Sequence, residues 1–243
     1  MIVYGVNPVL EALRAERVRT VRLAAVSGRT AEIRRFAHES GVPVIRVSPA
    51  ALDRMAGGAA HQGVAAEVAP LPAVSLEALI GELREPPLLL VLDGIEDPGN
   101  LGAILRSAEA AAVDGVVRQT RRAAPLGQVE KASAGAASHV RVVSVVNIAR
   151  AVTDLQAAGV WTVGLEADGD DLYRDVDLTL PTAFVVGSEG RGLRRLVRDR
   201  CDRVASIPML GRVNSLNVAV AAGIALFEAV RQRRGGPAGA GGA

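Results

Sequence analysis

The chain has a single cysteine, a single lysine and very few aromatic side chains. Cys201 alone cannot form an intrachain disulfide and cannot build a cysteine-based zinc site. The three histidines, His38, His61 and His139, are scattered without metal-ligand spacing, so no metal is expected. With Phe, Tyr and Trp at 2% of residues, the core has to be built from Ala, Val, Leu and Ile. No run approaches the roughly 20 apolar residues of a membrane span. The start, Met1-Ile-Val-Tyr-Gly5, lacks the basic and apolar regions of a secretory signal. A cytoplasmic location is the simplest expectation. The formal charge of +2 does not by itself imply a nucleic-acid partner. Every cation except Lys131 is an arginine; a GC-rich genome is the plain cause, a need for phosphate-binding forks the functional one, and composition does not decide between them.

At 243 residues the chain can form one large domain or two modest ones. Asn7-Pro8 reads as an N-cap followed by proline at the first helical position, opening a helix to about Arg14. Strand patterns follow at Thr20–Val26, Val44–Val47 and Gly63–Val68, with helices over Thr30–Ser40 and from Ser48-Pro49. This gives a small α/β domain over residues 1–70. Ala69-Pro-Leu-Pro-Ala-Val-Ser75 is extended by its prolines and marks the boundary, so that 71–84 is read as a linker.

Over residues 85–234 strands and helices alternate. Strands are expected at Leu88–Leu92, Gly115–Val117, Val142–Val146, Val160–Leu165, Ala183–Val186 and Val204–Ile207. Helices are expected at Leu101–Ala112, Val129–Ala137 and Ile148–Ala158. The expected fold is α/β, a mostly parallel sheet of five or six strands with helices on both faces. The last helix, Asn217–Arg234, is apolar all round between Val218 and Val230 except at Gly223 and Glu228. Such a helix needs cover on every side, and one sheet covers only one, so a homodimer is expected. The tail 235–243 is Gly, Ala and one Pro, and is read as disordered.

Three strand–loop–helix junctions carry the chemistry. The first is Asp93-Gly-Ile-Glu-Asp-Pro-Gly-Asn-Leu-Gly-Ala-Ile-Leu-Arg106, where the glycines admit a ligand to the backbone and Asn100 both donates and accepts. Asn100 as a helix cap and Arg106 as a surface cation is the plain structural alternative. Arg106 is expected on the first turns of its helix, near the carboxyl ends of the strands where open α/β sheets bind ligands. The second junction is Val186-Gly-Ser-Glu-Gly-Arg-Gly-Leu193. Its glycines do not follow G-x-G-x-x-G and no G-x-x-x-x-G-K-[ST] occurs, which argues against a nicotinamide dehydrogenase and a P-loop hydrolase. The third is Ile207-Pro-Met-Leu-Gly-Arg-Val-Asn-Ser-Leu-Asn-Val218. There Asn214, Ser215 and Asn217 serve either as caps or as ligand contacts.

Taken in order, Asp-Pro-x-Asn-x-Gly-x-x-x-Arg at Asp97–Arg106, Gly-x-Glu-Gly-x-Gly at Gly187–Gly192 and Ile-Pro-Met-x-Gly…Ser-Leu-Asn-Val at Ile207–Val218 resemble the three motifs of the SpoU (TrmH-type) 2'-O-ribose RNA methyltransferases of the SPOUT superfamily. Tyr4-Gly-Val-Asn-Pro and His61-Gln-Gly-Val resemble the small RNA-binding module of the branch that acts on large-subunit rRNA. The resemblance implies a C-terminal trefoil knot and a dimer formed through the knot and the last helix. It implies an S-adenosylmethionine pocket with contacts at Gly187, Glu189, Gly190, Ile207, Met209 and Leu216. It places Arg106, Asn100, Glu189, Ser215 and Asn217 around the reacting ribose.

Guanidinium is very hard to deprotonate, so Arg106 is expected to bind phosphate and polarise the 2'-hydroxyl rather than act as a base. Ser215 and Asn217 are expected to orient the loop. Arg191, Arg121 and Arg122 are read as solvated cations or RNA contacts, and His61 and Gln62 as turn-stabilising residues or base contacts. The substrate implied is a guanosine of 23S rRNA. A tRNA ribose, an rRNA site conferring antibiotic resistance, and a non-catalytic RNA-binding paralogue are the alternatives.

Overall fold

The structure is a computed structural model that describes residues 1–69, 74–121, 123–124, 136 and 139–235. The helix expected over 129–137 (Ala136 apart), Arg122, Lys131 and the tail beyond Gly235 lie outside these residues. The described residues form two compact units. The first takes those of Met1–Pro72 and Pro125–His139, the second those of Ala73–Ala124 and Val140–Ala243.

The first unit runs β1 (Ile2–Tyr4), α1 (Val6–Arg14), β2 (Val18–Leu23), α2 (Gly28–Glu39), β3 (Val44–Arg46), α3 (Pro49–Met55) and β4 (Val64–Val68). Its sheet has the order β1-β4-β2-β3, with β3 parallel to β2 and the other pairs antiparallel. The core is aliphatic as composition requires, with Val9 and Leu13 of α1 and Ile33 of α2 packed on Val21, Val64 and Ala66.

Sequence reading misplaces one cap here. Gly5 rather than Asn7 precedes α1, in a conformation (φ 99°) open to glycine, and glycine has no side chain with which to cap. The orphan amide of Val6 is satisfied instead by Gln62 Oε1, 2.9 Å away and 56 residues on, a partner no local pattern reveals. Ser27 and Thr30 form a reciprocal capping box at α2, and Ser48 Oγ accepts from Ala51 N at α3.

The second unit contains α4 (Leu76–Gly81), β5 (Leu88–Asp93), α5 (Pro98–Ala110), β6 (Gly115–Gln119), β7 (Val142–Val145), α6 (Ile148–Ala157), β8 (Trp161–Leu165), β9 (Asp171–Leu172), β10 (Thr182–Gly187), α7 (Arg195–Arg198), β11 (Arg203–Ser206) and α8 (Val218–Arg234). The sheet has seven strands in the order β7-β6-β5-β10-β8-β11-β9, and every pairing is parallel. The count exceeds the expected five or six because of β9, two residues long and held to the edge at Ala205 and Ser206, too short for a periodic signal. Helix α4, capped by Ser75, also lies where no helix is expected, with Leu79 fully buried.

The central strands β5 and β10 are buried at every residue, which is why each reads as an unbroken apolar run. Leu89 and Val91 of β5 and Ala183 and Val185 of β10 face α6 through Ile148, Val152 and Leu155. The alternate residues face the opposite side, where α8 packs against β10 and α5. From β5 the chain moves outward to β6 and β7, then crosses to β8 and returns to place β10 beside β5. That reversal sets Gly187 in register with Asp93, so the loops leaving β5 and β10 emerge side by side at the carboxyl edge of the sheet.

Candidate functional site

The loop after β10 is closed on itself. Ser188 N donates to Gly192 O (3.1 Å) and Gly192 N to Ser188 O (2.9 Å), leaving Glu189, Gly190 and Arg191 at its tip. Two glycines are required by contact. A Cβ on Gly187 would lie 2.0 Å from the backbone carbon of Gly192. One on Gly192, which also has φ +65°, would lie 2.5 Å from Glu166 Oε1. Glu166, at the end of β8, accepts from Leu193 N (2.6 Å) and Arg198 Nε (3.3 Å), so it braces the base of the loop.

On the neighbouring strand the Asp93 carboxylate is fully buried and accepts from both the backbone N (2.9 Å) and the Nε (2.8 Å) of Arg194. Behind the loop, burial and then the charges of Asp202, Asp93 and Glu166 push the Cys201 thiol up to about 12, which makes it a poor nucleophile.

The three junctions meet through side chains. Asp97, not Asn100, is the N-cap of α5, with Oδ2 accepting from Asn100 N (2.6 Å). Asn100 is thereby free to donate from Nδ2 to Glu189 Oε2 (3.0 Å), across 89 residues. Asn217 caps α8, its Oδ1 accepting from Ala219 N (2.9 Å) and Val220 N (3.4 Å). Its Nδ2 donates to Asn100 Oδ1 (2.8 Å) and Glu189 Oε1 (3.3 Å). Asn217 is therefore a cap and a site contact together. The cap fixes the direction of the whole chain of bonds, because backbone N–H groups only donate.

Two adjoining cavities open here, each of about 500 Å³. The first is enclosed by the loops after β8, β10 and β11 and by the start of α8. Gly187, Glu189, Gly190, Ile207, Met209 and Leu216, the six expected cofactor contacts, all line it, and so do Ser215 and Asn217. Its apolar wall of Ile207, Met209, Leu216 and Ala221 faces the acidic Glu166, Asp168 and Glu189, which suits a flat heterocycle carrying a cationic centre. The second cavity is walled by the loop after β5, by Asn100 and by Gln119, and shares Ser188, Glu189, Arg191, Gly192 and Val218 with the first.

Arg106 is not brought to this cluster. It lines neither cavity, is exposed, and makes no hydrogen bond or ion pair with the described residues. Helix geometry gives the reason: Asn100 is the third residue of α5, and six residues further on Arg106 is about 9 Å along the axis and roughly 240° around it. The expectation that it sits on the first turns is corrected accordingly. Arg191 stands exposed between the two cavities, and Arg121 is exposed beyond β6. In the first unit His61 and Gln62 hold turns: His61 Nδ1 accepts from Gly63 N (3.0 Å), and Gln62 serves α1 as described above.

Sequence reading misses Glu166, Asp168, Asp93 and Gln119. The first two lie in Leu165-Glu-Ala-Asp-Gly169 directly after a strand, the same kind of position as the three junctions, and that placement is the signal that marks them.

Two family models match the chain. Residues 87–227 match the SpoU rRNA methylase family, and residues 2–74 match the RNA 2'-O ribose methyltransferase substrate-binding family. The chain is 45% identical over 241 residues to the 23S rRNA (guanosine-2'-O-)-methyltransferase RlmB of Xanthomonas campestris pv. campestris, covering 96% of this chain and 97% of the relative. It is 46% identical to an uncharacterized tRNA/rRNA methyltransferase of Mycolicibacterium paratuberculosis, over 96% of this chain and 78% of that protein. Among solved structures, the SpoU methyltransferase AviRb of Streptomyces viridochromogenes in complex with the cofactor AdoMet superposes with a TM-score of 0.81 at 31% identity. It covers 97% of this chain and 91% of AviRb.

Proposed function

The chain belongs to the SpoU rRNA methylase family, and from that premise we propose that it transfers a methyl group from S-adenosylmethionine to the ribose 2'-oxygen of a guanosine in 23S rRNA. The observation that carries this reading is the pair of adjoining cavities meeting at the Asn100–Glu189–Asn217 cluster. The first cavity has the size, the apolar wall and the carboxylates to hold the cofactor, with Gly187, Glu189, Gly190, Ile207, Met209 and Leu216 as its contacts. S-adenosylmethionine, when bound there, supplies a sulfonium-activated methyl group.

The protein's own residues do the rest. Asn100 and Asn217 hold the Glu189 carboxylate from two sides, fixing an acceptor where the cavities join, and Ser215 orients the loop that precedes α8. In-line alignment of the two reacting groups supplies much of the rate. The hydroxyl proton leaves to Glu189 or to water. Arg106 binds the target phosphate and polarises the hydroxyl.

We place Arg106 at the reaction through a homodimer. Val220 and Phe227, apolar and half-exposed, line one face of α8 with Ile224 between them. A Cβ on Gly223 would lie 3.5 Å from Ser107 Oγ, so Ser107 and the adjoining Arg106 of α5 border that stripe. A second copy covering the stripe reaches Arg106 as well. Four carbonyls, those of Pro86, Pro87, Leu178 and Leu180, accept from the Arg233 guanidinium, each at 2.8 Å. These bonds fasten the end of α8; the trefoil knot remains our proposal from the resemblance of the motifs.

The division we adopt is an RNA-binding domain over 1–70, a methyltransferase domain up to 234 and a tail over 235–243; of the linker expected over 71–84, α4 packs Leu79 into the core of the second unit and is counted with the methyltransferase domain. No helix among the described residues is long and apolar enough to cross a membrane; a cytoplasmic location is our inference from the proposed rRNA substrate.

Purified protein, S-adenosylmethionine and transcripts of 23S rRNA and tRNA test the reading, with the modified position mapped afterwards. A 2'-O-methylguanosine in the 23S transcript is the expected product. Methylation of tRNA alone, or no calorimetric binding of S-adenosylmethionine, would overturn it, the latter in favour of a non-catalytic RNA-binding protein.

A further inference from the structure

Arg191 is the one cationic side chain among the described residues that line the first cavity, whose wall is otherwise acidic at Glu166, Asp168 and Glu189. Two of those carboxylates are occupied. Glu166 accepts from Leu193 N and Arg198, and Glu189 from Asn100 and Asn217. The guanidinium is not: Arg191 is exposed and makes no hydrogen bond or ion pair with the described residues. Its backbone is held all the same, because Ser188 and Gly192 bond to each other on either side of the loop tip. Arg191 also lines the second cavity, where the other cation, Arg194, is taken up by the buried Asp93.

The cofactor proposed above carries two cationic groups, its sulfonium and its ammonium, and one anionic group, its α-carboxylate. The acidic wall suits the first two and repels the third. With the heterocycle on Ile207, Met209, Leu216 and Ala221, the methyl group has to face the second cavity, from which the ribose comes. The amino-acid end of the cofactor, a few bonds from the sulfur, is then brought to the junction that Arg191 shares between the cavities. A guanidinium meets a carboxylate with two parallel N–H donors.

We propose that Arg191 binds the α-carboxylate of S-adenosylmethionine, and so selects a cofactor whose amino-acid end is intact. An RNA phosphate is the rival partner. The second cavity would set that phosphate beside Glu96, Asp97 and Glu189, whereas the cofactor carboxylate has no other cation to turn to in the first. The inference rests on the S-adenosylmethionine-dependent transfer proposed above.

Calorimetric affinity is compared for S-adenosylmethionine and its decarboxylated form, S-adenosylmethioninamine, which lacks only the carboxylate. Wild type is expected to favour S-adenosylmethionine by roughly 10-fold at low salt, the lower end for a hydrogen bond to a charged group, and by less as salt rises. Arg191→Met brings the ratio to one or below it, because the remaining wall is acidic and the decarboxylated form is the more cationic. Arg191→Lys keeps the charge without the fork and retains part of the preference. A wild-type ratio near one overturns the inference whatever the variants do. So does an Arg191→Met protein that keeps the ratio, or one that weakens both compounds alike, which marks a role in the shape of the loop. An unchanged ratio with a raised KM for RNA in Arg191→Met also overturns it and assigns the guanidinium to phosphate. Wild type that binds neither compound removes the proposed function and this inference with it, and is seen before any variant is made.

Discussion

Asn217→Asp separates two jobs that one side chain performs. The substituted aspartate keeps the oxygen that caps α8, and Asn and Asp are about equal as N-caps. It loses the Nδ2 donor that now reaches Asn100 Oδ1 at 2.8 Å and Glu189 Oε1 at 3.3 Å. Two carboxylates at that 3.3 Å separation repel by about 1 kcal/mol in water-like surroundings and about 5 kcal/mol at an effective dielectric of 20. The atoms are exposed, so the lower end applies, and each lost hydrogen bond adds about 0.5–1.5 kcal/mol. The disturbance at the site is therefore about 2–4 kcal/mol, equivalent to a fall of at least roughly 30-fold in kcat/KM if the cluster is aligned only in the wild-type arrangement.

A like-charged pair also raises one of its two carboxyl pKa values, and the protonated form donates again. As pH falls through that raised value, part of the lost activity should return in Asn217→Asp. Asn217→Ala, which loses both cap and donor, should show no acid rescue and should melt lower by the equivalent of about 1 kcal/mol for the cap. Initial rates against pH, with thermal melts of both variants, decide the matter. Full activity in Asn217→Asp, or identical pH profiles in the two variants, would refute the directional network.

Gly187→Ala should abolish S-adenosylmethionine binding by calorimetry, since the new methyl group overlaps the backbone of Gly192; wild-type affinity would show that the loop is not held as described. Cys201 should react with a thiol reagent about 10³-fold more slowly at pH 8 in the native protein than in the unfolded chain, because burial and nearby carboxylates keep it protonated. Raised folded pKa means stability present in full below the ordinary thiol value and lost as pH climbs through about 12, so melts should worsen only above about pH 9. If the proposed homodimer forms, Phe227→Glu should make it a monomer by light scattering and lower kcat, while a wild-type protein that is already monomeric would remove the argument for Arg106. Arg106→Lys should lose most methyl transfer while keeping cofactor affinity; full activity would exclude both roles assigned to it.

What the sequence makes legible here follows from the range of each signal. Strands β5 and β10 are evident because burial on both faces leaves an unbroken apolar run, and α8 because its apolar stretch meets Asn217 at its start. The motifs bring Asn100, Glu189 and Asn217 to notice one by one. Their contact depends on β10 returning beside β5, which places residues 89 and 117 positions apart within hydrogen-bond distance. No local pattern carries that information, and the same limit hides Gln62 as the cap of α1 and Asp93 as the anchor of Arg194.

Arg106 shows a different limit. Its six-residue spacing from Asn100 is readable and in any α-helix sets the two on different faces, so the grouping that the motif implies cannot be met along α5 alone. On the reading proposed above, Arg106 reaches the chemistry only when a second copy of the chain completes the site. The half-exposed apolar face of α8 beside it is the surface the protein offers. The assembly of the site and the assembly of the dimer are therefore one question, and losing either in Phe227→Glu without losing the other would separate them.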